Sequence, residues 1–403
     1  MATNPSVNTD ANIVEHFLTR SVENVFPTKE KLASYLASGK RITVYTGIDP
    51  TGPTLHLGHL IWLRKLAELQ KMGHRVIMLI GDFTAMIGDP TDKSAARKRQ
   101  TREDVLENCK LYKKQAEKFL DFGGSNPAEL KFNSDWLGKM SFGDVVELSA
   151  HFTVQQMMER DMFEKRAEEN KPIYLHEFLY PLLQGYDSVA MDVDLEIGGN
   201  DQMFNMLAGR TLLREMKQKE KSVVTLKLLE DASGKKMGKS EGNIVAFSDT
   251  PEDAYGKVMS WTDGMILPGF ELCTDVSDEE IAEMRASMSN GENPMAFKRR
   301  LAREMVTVLH SAEDADVAEA HFSKVHQAKE VPDEIKEWKL ETENAKLADV
   351  LMAAGIVDSK SEARRQIEQG GVKVDGDVVT DVAATVSAGS IIQKGKRFFV
   401  KLV

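Results

Sequence analysis

Residues 42–80 constrain the fold more than any other part of this chain. Residues 42–46 form an apolar run of strand length, and Arg75–Ile80 form a second. Between them a turn rich in glycine and proline leads into a segment of helical periodicity from about Leu55 to Met72. Gly73 follows where a helix stop is expected. Two apolar strands joined by a helix make a β-α-β unit. Such a unit requires a parallel sheet and places ligands at the carboxyl ends of its strands, where the glycine turn falls. The expected class is therefore α/β.

The rest of the chain extends this pattern and then leaves it. Residues 1–40 read as helical elements packing on the main domain. Residues 102–122 read as a helix stopped by Gly123-Gly124, and 141–170 as helical and rich in methionine (Met157, Met158, Met162), a core or dimer face. Residues 195–198 are strand-like and 205–219 helical. From 252 to 330 strand alternation is absent, with helices expected near 252–260, 277–288 and 294–328. Val331-Pro332 and the charged stretch 333–345 read as a linker. The tail is a small α+β unit: helices at 347–354 and 361–369, strands at 372–374 and around 397–402, and Asp375-Gly376 as a hairpin turn. The domains expected are 1–245, 246–332, a linker 333–345, and 346–403.

Net charge is −11, which argues against a protein that coats nucleic acid in general. The charge is uneven: residues 344–403 carry nine Lys and Arg against seven Asp and Glu, so the tail is mildly basic. Cys109 and Cys273 supply no disulfide framework and fit a reducing compartment. The first 25 residues lack the apolar core of a signal peptide, and no apolar run approaches a membrane span. A cytoplasmic enzyme is expected, with no membrane partner.

Two short motifs carry the chemistry. The first is His56-Leu57-Gly58-His59, at the start of the first helix. A phosphate beside a helix N-terminus meets unpaired N–H groups and the positive end of the dipole. Gly58 lets a nucleotide approach the backbone closely. No Cys/His cluster accompanies the histidines, so a metal site is not expected. The second motif is Lys236-Met237-Gly238-Lys239-Ser240. A phosphate-binding P-loop would need glycine at 233, which is serine, and Gly234 sits one place late. A mobile loop that carries Lys236 and Lys239 to a pyrophosphate fits better. In this order the two motifs resemble the ATP-handling signatures of class I aminoacyl-tRNA synthetases. Those enzymes activate an amino acid by attack of its carboxylate on the α-phosphate of ATP. The reaction relies on positioning and on donors aimed at developing negative charge.

A third segment, residues 178–187, places Tyr180, Gln184 and Asp187 at spacings of four and seven, one face of a helix that is otherwise apolar. Pro181 disfavours a helical Tyr180, so a kink or a helix start there is expected. Convergent polar groups in an apolar setting suit a zwitterion with a polar tip. From residue 42 to the C-terminus the chain resembles the bacterial-type tyrosyl-tRNA synthetases. The resemblance runs through Tyr45-Thr46-Gly47-Ile48-Asp49-Pro50-Thr51, both ATP motifs, Thr84-Ala85-Met86-Ile87-Gly88-Asp89-Pro90, Leu183-Gln184-Gly185-Tyr186-Asp187 and Ile197-Gly198-Gly199-Asn200-Asp201-Gln202. Residues 354–374 resemble the S4 family of RNA-binding domains.

The resemblance implies a Rossmann-like catalytic domain, a helical anticodon-binding domain and an S4-like tail. It implies that Tyr45 and Asp187 hold the phenol hydroxyl of tyrosine, and that Asp89, Tyr180 and Gln184 hold its ammonium, with Thr84 nearby. Gly47, Asp49, Gly199, Asp201 and Gln202 would contact the adenylate ribose and its surroundings. Thr51, His56 and His59 would face the ATP phosphates and ribose. Lys93 and Arg97 would join Lys236 and Lys239 on the pyrophosphate. Lys360, Arg364, Arg365 and Lys373 would contact RNA phosphates. The implied substrates are L-tyrosine, ATP with its Mg2+, and tRNA(Tyr), handled by a homodimer. The chain departs from the class pattern at Gly238, where serine is common, and its 89–97 loop carries Asp92 and Ala95-Ala96. Tryptophanyl-tRNA synthetases share the architecture, but Tyr45 with Asp187 and the S4-like tail argue against that branch. An RNA-binding or splicing-assisting protein on this scaffold would not need His56, His59, Lys236 and Lys239 intact.

Overall fold

The computed structural model describes residues 5–89, 100–230, 244–327, 336–340, 345–357, 359–394 and 398–403. The chain divides into two compact units, Met1–Glu319 and Ala320–Val403. The larger unit is built on a six-stranded sheet. Its strands are β1 (Val22–Phe26), β2 (Thr43–Ile48), β3 (Arg75–Ile80), β4 (Glu129–Phe132), β5 (Leu195–Gly199) and β6 (Ser222–Leu226). The order is β1-β6-β5-β2-β3-β4, parallel throughout except for β1 against β6. Chain order runs outward from β2 to β3 and β4 on one side, and from β5 to β6 on the other. The β2/β5 seam is therefore the switch point, where an open parallel sheet leaves its ligand crevice. At that seam Tyr45 lies opposite Glu196.

Several elements differ from expectation, for identifiable reasons. β1 interrupts the N-terminal segment expected to be helical, because its Val25 and Phe26 pair with Val224 and Val223 at the sheet edge. β4 is an edge strand of only four half-buried residues, and charged Glu129 and Lys131 mask its period. Glu129 there accepts from Arg75 at 2.5 Å. The expected helix 102–122 is broken into Arg102–Cys109 and Tyr112–Ala116. The 141–170 stretch is three helices, Phe142–Ser149, Val154–Met158 and Asp161–Glu168, with Ser141 and Thr153 capping the first two. The expected helix 294–328 ends at Leu309, and Ala312–Gln327 starts anew after Ser311, whose hydroxyl accepts from Asp314 N–H.

One helix spans Leu175–Met191 and passes through Pro181 rather than starting at Tyr180, giving up one N–H. It lies against helix Met203–Lys217. The contact is close because a Cβ on Gly185 would sit 3.0 Å from Gly209 N. Further along, Arg20 is buried and clamps the end of helix Ile266–Cys273, donating to the carbonyls of Phe270, Thr274 and Val276. Phe270 stands in the last turn of that helix, and Thr274 and Val276 follow its end.

In the smaller unit, β7 (Lys336–Trp338), β9 (Val372–Val374), β10 (Asp377–Val378), β12 (Ile391–Lys394) and β13 (Phe398–Leu402) form a sheet ordered β10-β9-β12-β13-β7. β8 (Ala345–Lys346) pairs separately with β11 (Thr385–Val386). Part of the expected linker is thus structure: β7 runs parallel to β13. Asp375 and Gly376, at φ 54° and 94°, make the tight β9–β10 turn that the sequence suggested. Helices Leu347–Ala353 and Lys360–Glu368 bury Leu347, Leu351, Ala363 and Ile367 against Val372, Ile392, Val400 and Leu402.

Candidate active site

The carboxyl ends of β2, β3, β4 and β5 deliver Asp49, Thr84, Asn133 and Gln202 to one crevice, and helix Leu175–Met191 supplies Tyr180, Gln184 and Asp187. Asp49 is the hub. Its Oδ1 accepts from Thr84 Oγ1 at 2.7 Å, and its Oδ2 accepts from Tyr180 OH at 2.8 Å. Thr84 Oγ1 in turn accepts from Asn133 Nδ2 at 3.0 Å, which also donates to Asp187 Oδ2 at 3.2 Å. Trp136 Nε1 donates to Asp187 Oδ1 at 2.7 Å. Gly81 is the condition for this arrangement: a Cβ there would fall 2.0 Å from Asp49 Oδ1 and 2.5 Å from Thr84 Oγ1.

Electrostatics follow from burial. Asp187 is 2 % exposed, and desolvation pushes its carboxyl well above the usual range, against the pull of its Trp136 and Asn133 donors. Burial raises Asp49 to about 7, opposed by the Thr84 and Tyr180 hydrogen bonds and helped by the charges of Asp89 and Asp82. The phenols of Tyr45 and Tyr180 are also pushed up, so both stay protonated donors at neutral pH. Asp89 accepts from Arg160 Nη2 at 3.2 Å and from Gln202 Nε2 at 2.7 Å. Gln184 Oε1 is buried with no hydrogen-bond partner among the described residues, an acceptor available to a ligand. Tyr45 OH lies 2.9 Å from Ser188 Oγ.

The histidine motif takes an unexpected form. Helix Leu57–Lys71 begins one residue after His56, so His56 is its N-cap. His56 Nδ1 accepts from Gly58 N at 3.2 Å, and His59 Nδ1 accepts from His56 N at 3.1 Å, a reciprocal capping box made of imidazoles. The rings stack with centroids 3.8 Å apart. An Nδ1 that accepts leaves the neutral ring its proton on Nε2, so each ring carries its donor there. A Cβ on Gly58 would lie 3.0 Å from the His56 ring, so here the glycine makes room for a side chain as well as for a ligand.

Hydrogen bonds link Asp49 with Thr84 and Tyr180, Thr84 through Asn133 with Asp187, and Asp89 with Gln202. Tyr45 and Gly47 lie on β2, Thr51, His56, Gly58 and His59 in the turn and helix start that follow it, Gly199 and Asp201 at the end of β5, and Gln184 on helix Leu175–Met191. Asp49, expected on the ribose side, is bonded to two residues expected around an ammonium. Lys93, Arg97, Lys236 and Lys239 lie outside the described residues. In the smaller unit, Arg364 and Arg365 are exposed, Lys360 is ion-paired with Asp349 at 2.9 Å, and Lys373 is half-buried on β9. Sequence reasoning missed Asn133, Trp136, Ser188, Glu196 and Lys221. The one available signal was the position of Asn133 just after a strand, and that strand was itself unread.

A family model described as tRNA synthetases class I (W and Y) matches residues 37–327, and an S4 domain model matches residues 346–392. The chain is 44 % identical to the tyrosine–tRNA ligase of Moorella thermoacetica, over 96 % of this chain and 94 % of that one. It is 46 % identical to the tyrosine–tRNA ligase of Geobacter metallireducens, over 93 % and 94 %. Among solved structures, the tyrosyl-tRNA synthetase of Archaeoglobus fulgidus complexed with L-tyrosine shares the fold. Its TM-score is 0.61 at 22 % identity, covering 77 % of this chain and 100 % of that one.

The raised Asp49 carboxyl has a measurable consequence. From its ordinary 3.8 up to about 7 the folded protein holds a proton that the unfolded chain has released. The resulting stabilisation is present at the acid end of this window and is lost as pH rises through it. Urea unfolding across this range should therefore show a decline toward neutral pH that Asp49→Asn makes shallower, the buried Asp187 contributing the same sign. Parallel profiles for the two proteins would contradict it.

Proposed function

The chain belongs to the class I tRNA synthetases, in the branch of the tyrosine–tRNA ligases, and from that premise we propose how its residues perform the reaction. The enzyme activates L-tyrosine with ATP to tyrosyl-adenylate and pyrophosphate, then transfers tyrosine to tRNA. The observation that carries the residue assignment is the buried polar end of the crevice. Asp187, fixed by Trp136 and Asn133, and Tyr45 at the floor of the sheet face the same interior. A site built to bond a hydroxyl rejects the analogue without one, because its buried groups are left unpaired; tyrosyl-tRNA synthetase acting on tyrosine against phenylalanine is itself the standing example.

The ammonium of tyrosine is assigned to Asp89, Tyr180 and Gln184, with Thr84 and the Asp49 carboxylate beside them. The bare acceptor of Gln184 supports this placement. Gly47, Gly58, Gly199, Asp201 and Gln202 are assigned to the adenosine side, with Asp49 bridging the two halves. Thr51, His56 and His59 take the phosphates. As the carboxylate attacks the α-phosphate, charge grows on the phosphate oxygens, and the Nε2–H donors of the two histidines meet it without reorganisation, because the capping box already holds the rings. Lys93, Arg97, Lys236 and Lys239 are assigned to the pyrophosphate on sequence alone, and Mg2+ enters with ATP.

The helical region 246–332 is assigned to the anticodon arm and the S4-like region 346–403 to further RNA contacts, through Lys360, Arg364, Arg365 and Lys373. ATP and tRNA are substrates of the cytoplasm, where we place this enzyme. Among the described residues no helix is long and apolar enough to cross a membrane. A homodimer is supported by the stretch 141–175, which exposes Phe142 at 85 %, Val154 at 69 % and Leu175 at 84 %.

Three outcomes test this reading. Pyrophosphate exchange should depend on tyrosine, and His56→Ala should lower kcat by about 10²–10³, the cost of one donor to developing charge, while tyrosine affinity changes little. Exchange supported by tryptophan alone would overturn the specificity, and a loss confined to tyrosine affinity would overturn the role of His56. Sedimentation equilibrium should give a dimer that Phe142→Glu with Leu175→Glu converts to monomer; a monomeric wild type would refute it. Deleting 346–403 should spare adenylate formation, cripple tRNA charging and flatten its salt dependence. Unchanged charging by the truncated protein would remove the tail from RNA binding.

A further inference from the structure

Behind the site assigned to the phenol hydroxyl lies a second polar cluster that the reaction outlined above does not use. Lys221 is 0 % exposed and Glu196 is 2 % exposed, and the two are ion-paired. Lys221 Nζ also donates to Ser188 Oγ at 2.8 Å. Ser188, next to Asp187 in the chain and fully buried, holds its Oγ 2.9 Å from Tyr45 OH and 3.4 Å from Glu196 Oε2. The cluster is assembled from separate parts of the fold. Lys221 precedes β6, Glu196 stands opposite Tyr45 across the β5/β2 seam, and Ser188 comes from the helix above. Gly209 leaves room for it, since a Cβ there would fall 2.7 Å from Lys221 Nζ and 2.8 Å from Ser188 Oγ.

Stability alone is a poor reason for such a cluster. A buried ion pair pays heavily in lost hydration, and apolar groups of the same volume often stabilise a fold as well or better. We propose that Lys221, Glu196 and Ser188 are positioning residues that hold the Tyr45 hydroxyl where it meets the substrate phenol, and so sharpen the choice of tyrosine over phenylalanine. The proposal rests on the assignment of Tyr45 and Asp187 to that phenol.

Lys221 Nζ donates to Ser188 Oγ and to Glu196 Oε2, and Ser188 in turn donates to Glu196 Oε2 at 3.4 Å. The Ser188 hydroxyl is thereby held from two sides, and its Oγ stands 2.9 Å from Tyr45 OH. Tyr45 OH, between Ser188 and Glu196, is fixed in turn. The substrate hydroxyl then meets two groups already held by the fold, Tyr45 on one side and Asp187, bonded to Trp136 and Asn133, on the other. Bonds in such a network polarise one another. The Glu196 charge opposes the desolvation that lowers the Lys221 pKa. Phenylalanine leaves Tyr45 and Asp187 without their partner.

The test is the ratio of kcat/KM for tyrosine to that for phenylalanine in pyrophosphate exchange by the full-length enzyme. This ratio does not depend on the fraction of active protein, so partial misfolding cannot imitate the effect. Ser188→Ala should raise the tyrosine KM about tenfold, the worth of one hydrogen bond, with kcat within about twofold and phenylalanine unchanged. The ratio should then fall about tenfold. The double variant Lys221→Met/Glu196→Met, which removes both charges together, should lower the ratio similarly, and adding Ser188→Ala should lower it no further. A ratio unchanged in Ser188→Ala, or equal losses for the two amino acids, would overturn the proposal even if the double variant does not fold. A wild-type enzyme that failed to use tyrosine would overturn the underlying assignment instead.

Discussion

The close approach of two helices at Gly185 and Gly209 is the contact on which the site depends. With no side chain on either residue, helix Leu175–Met191 settles near the backbone of Met203–Lys217; a Cβ on Gly209 would sit 3.2 Å from Gly185 O, and one on Gly185 3.0 Å from Gly209 N. That depth fixes the height of the first helix above the sheet. Tyr180 then reaches Asp49, Asp187 reaches Trp136 and Asn133, and Ser188 reaches Tyr45, each through a hydrogen bond no longer than 3.2 Å. A helix held farther out would break all of these together, since they hang from one rigid element.

What the sequence disclosed, and what it hid, divides along the range of the forces involved. The β2–helix–β3 unit was legible because β3 is buried on both faces and the helix ends at a glycine of φ 92°. The tail was legible for the same local reasons, its helices and hairpin being punctuated by Gly355, Gly370 and Gly376, all at positive φ. β4 was hidden by charges that serve an edge. Candidate residues inside contiguous motifs could be named, including Asp49, His56, Tyr180 and Asp187. Glu196, Lys221 and Asn133 could not, because their meaning arises from strand register. Glu196 matters as the neighbour of Tyr45, about 150 residues away, and nothing near it in the chain points there.

The histidine pair shows a different limit. Its residue types and spacing pointed to a helix start near Leu55, close to the Leu57 observed, but gave no sign of what the rings do there. They replace the hydroxyl and carboxyl groups that usually close a helix N-terminus. The backbone thereby sets the tautomer of each ring, and the capping of the helix and the readiness of the site become one arrangement.

Gly81 carries the last consequence. It bears no chemistry, yet any side chain there would occupy the space in which Asp49 and Thr84 meet. Drift at this position is therefore closed, and not because a reacting group would be lost. A lineage that altered its amino-acid preference would have to find its substitutions around a fixed, featureless point. Laboratory libraries that randomise the crevice would waste nearly all their diversity at residue 81. The same glycine would stay constant in descendants whose neighbours had all changed, marking the site by what it excludes.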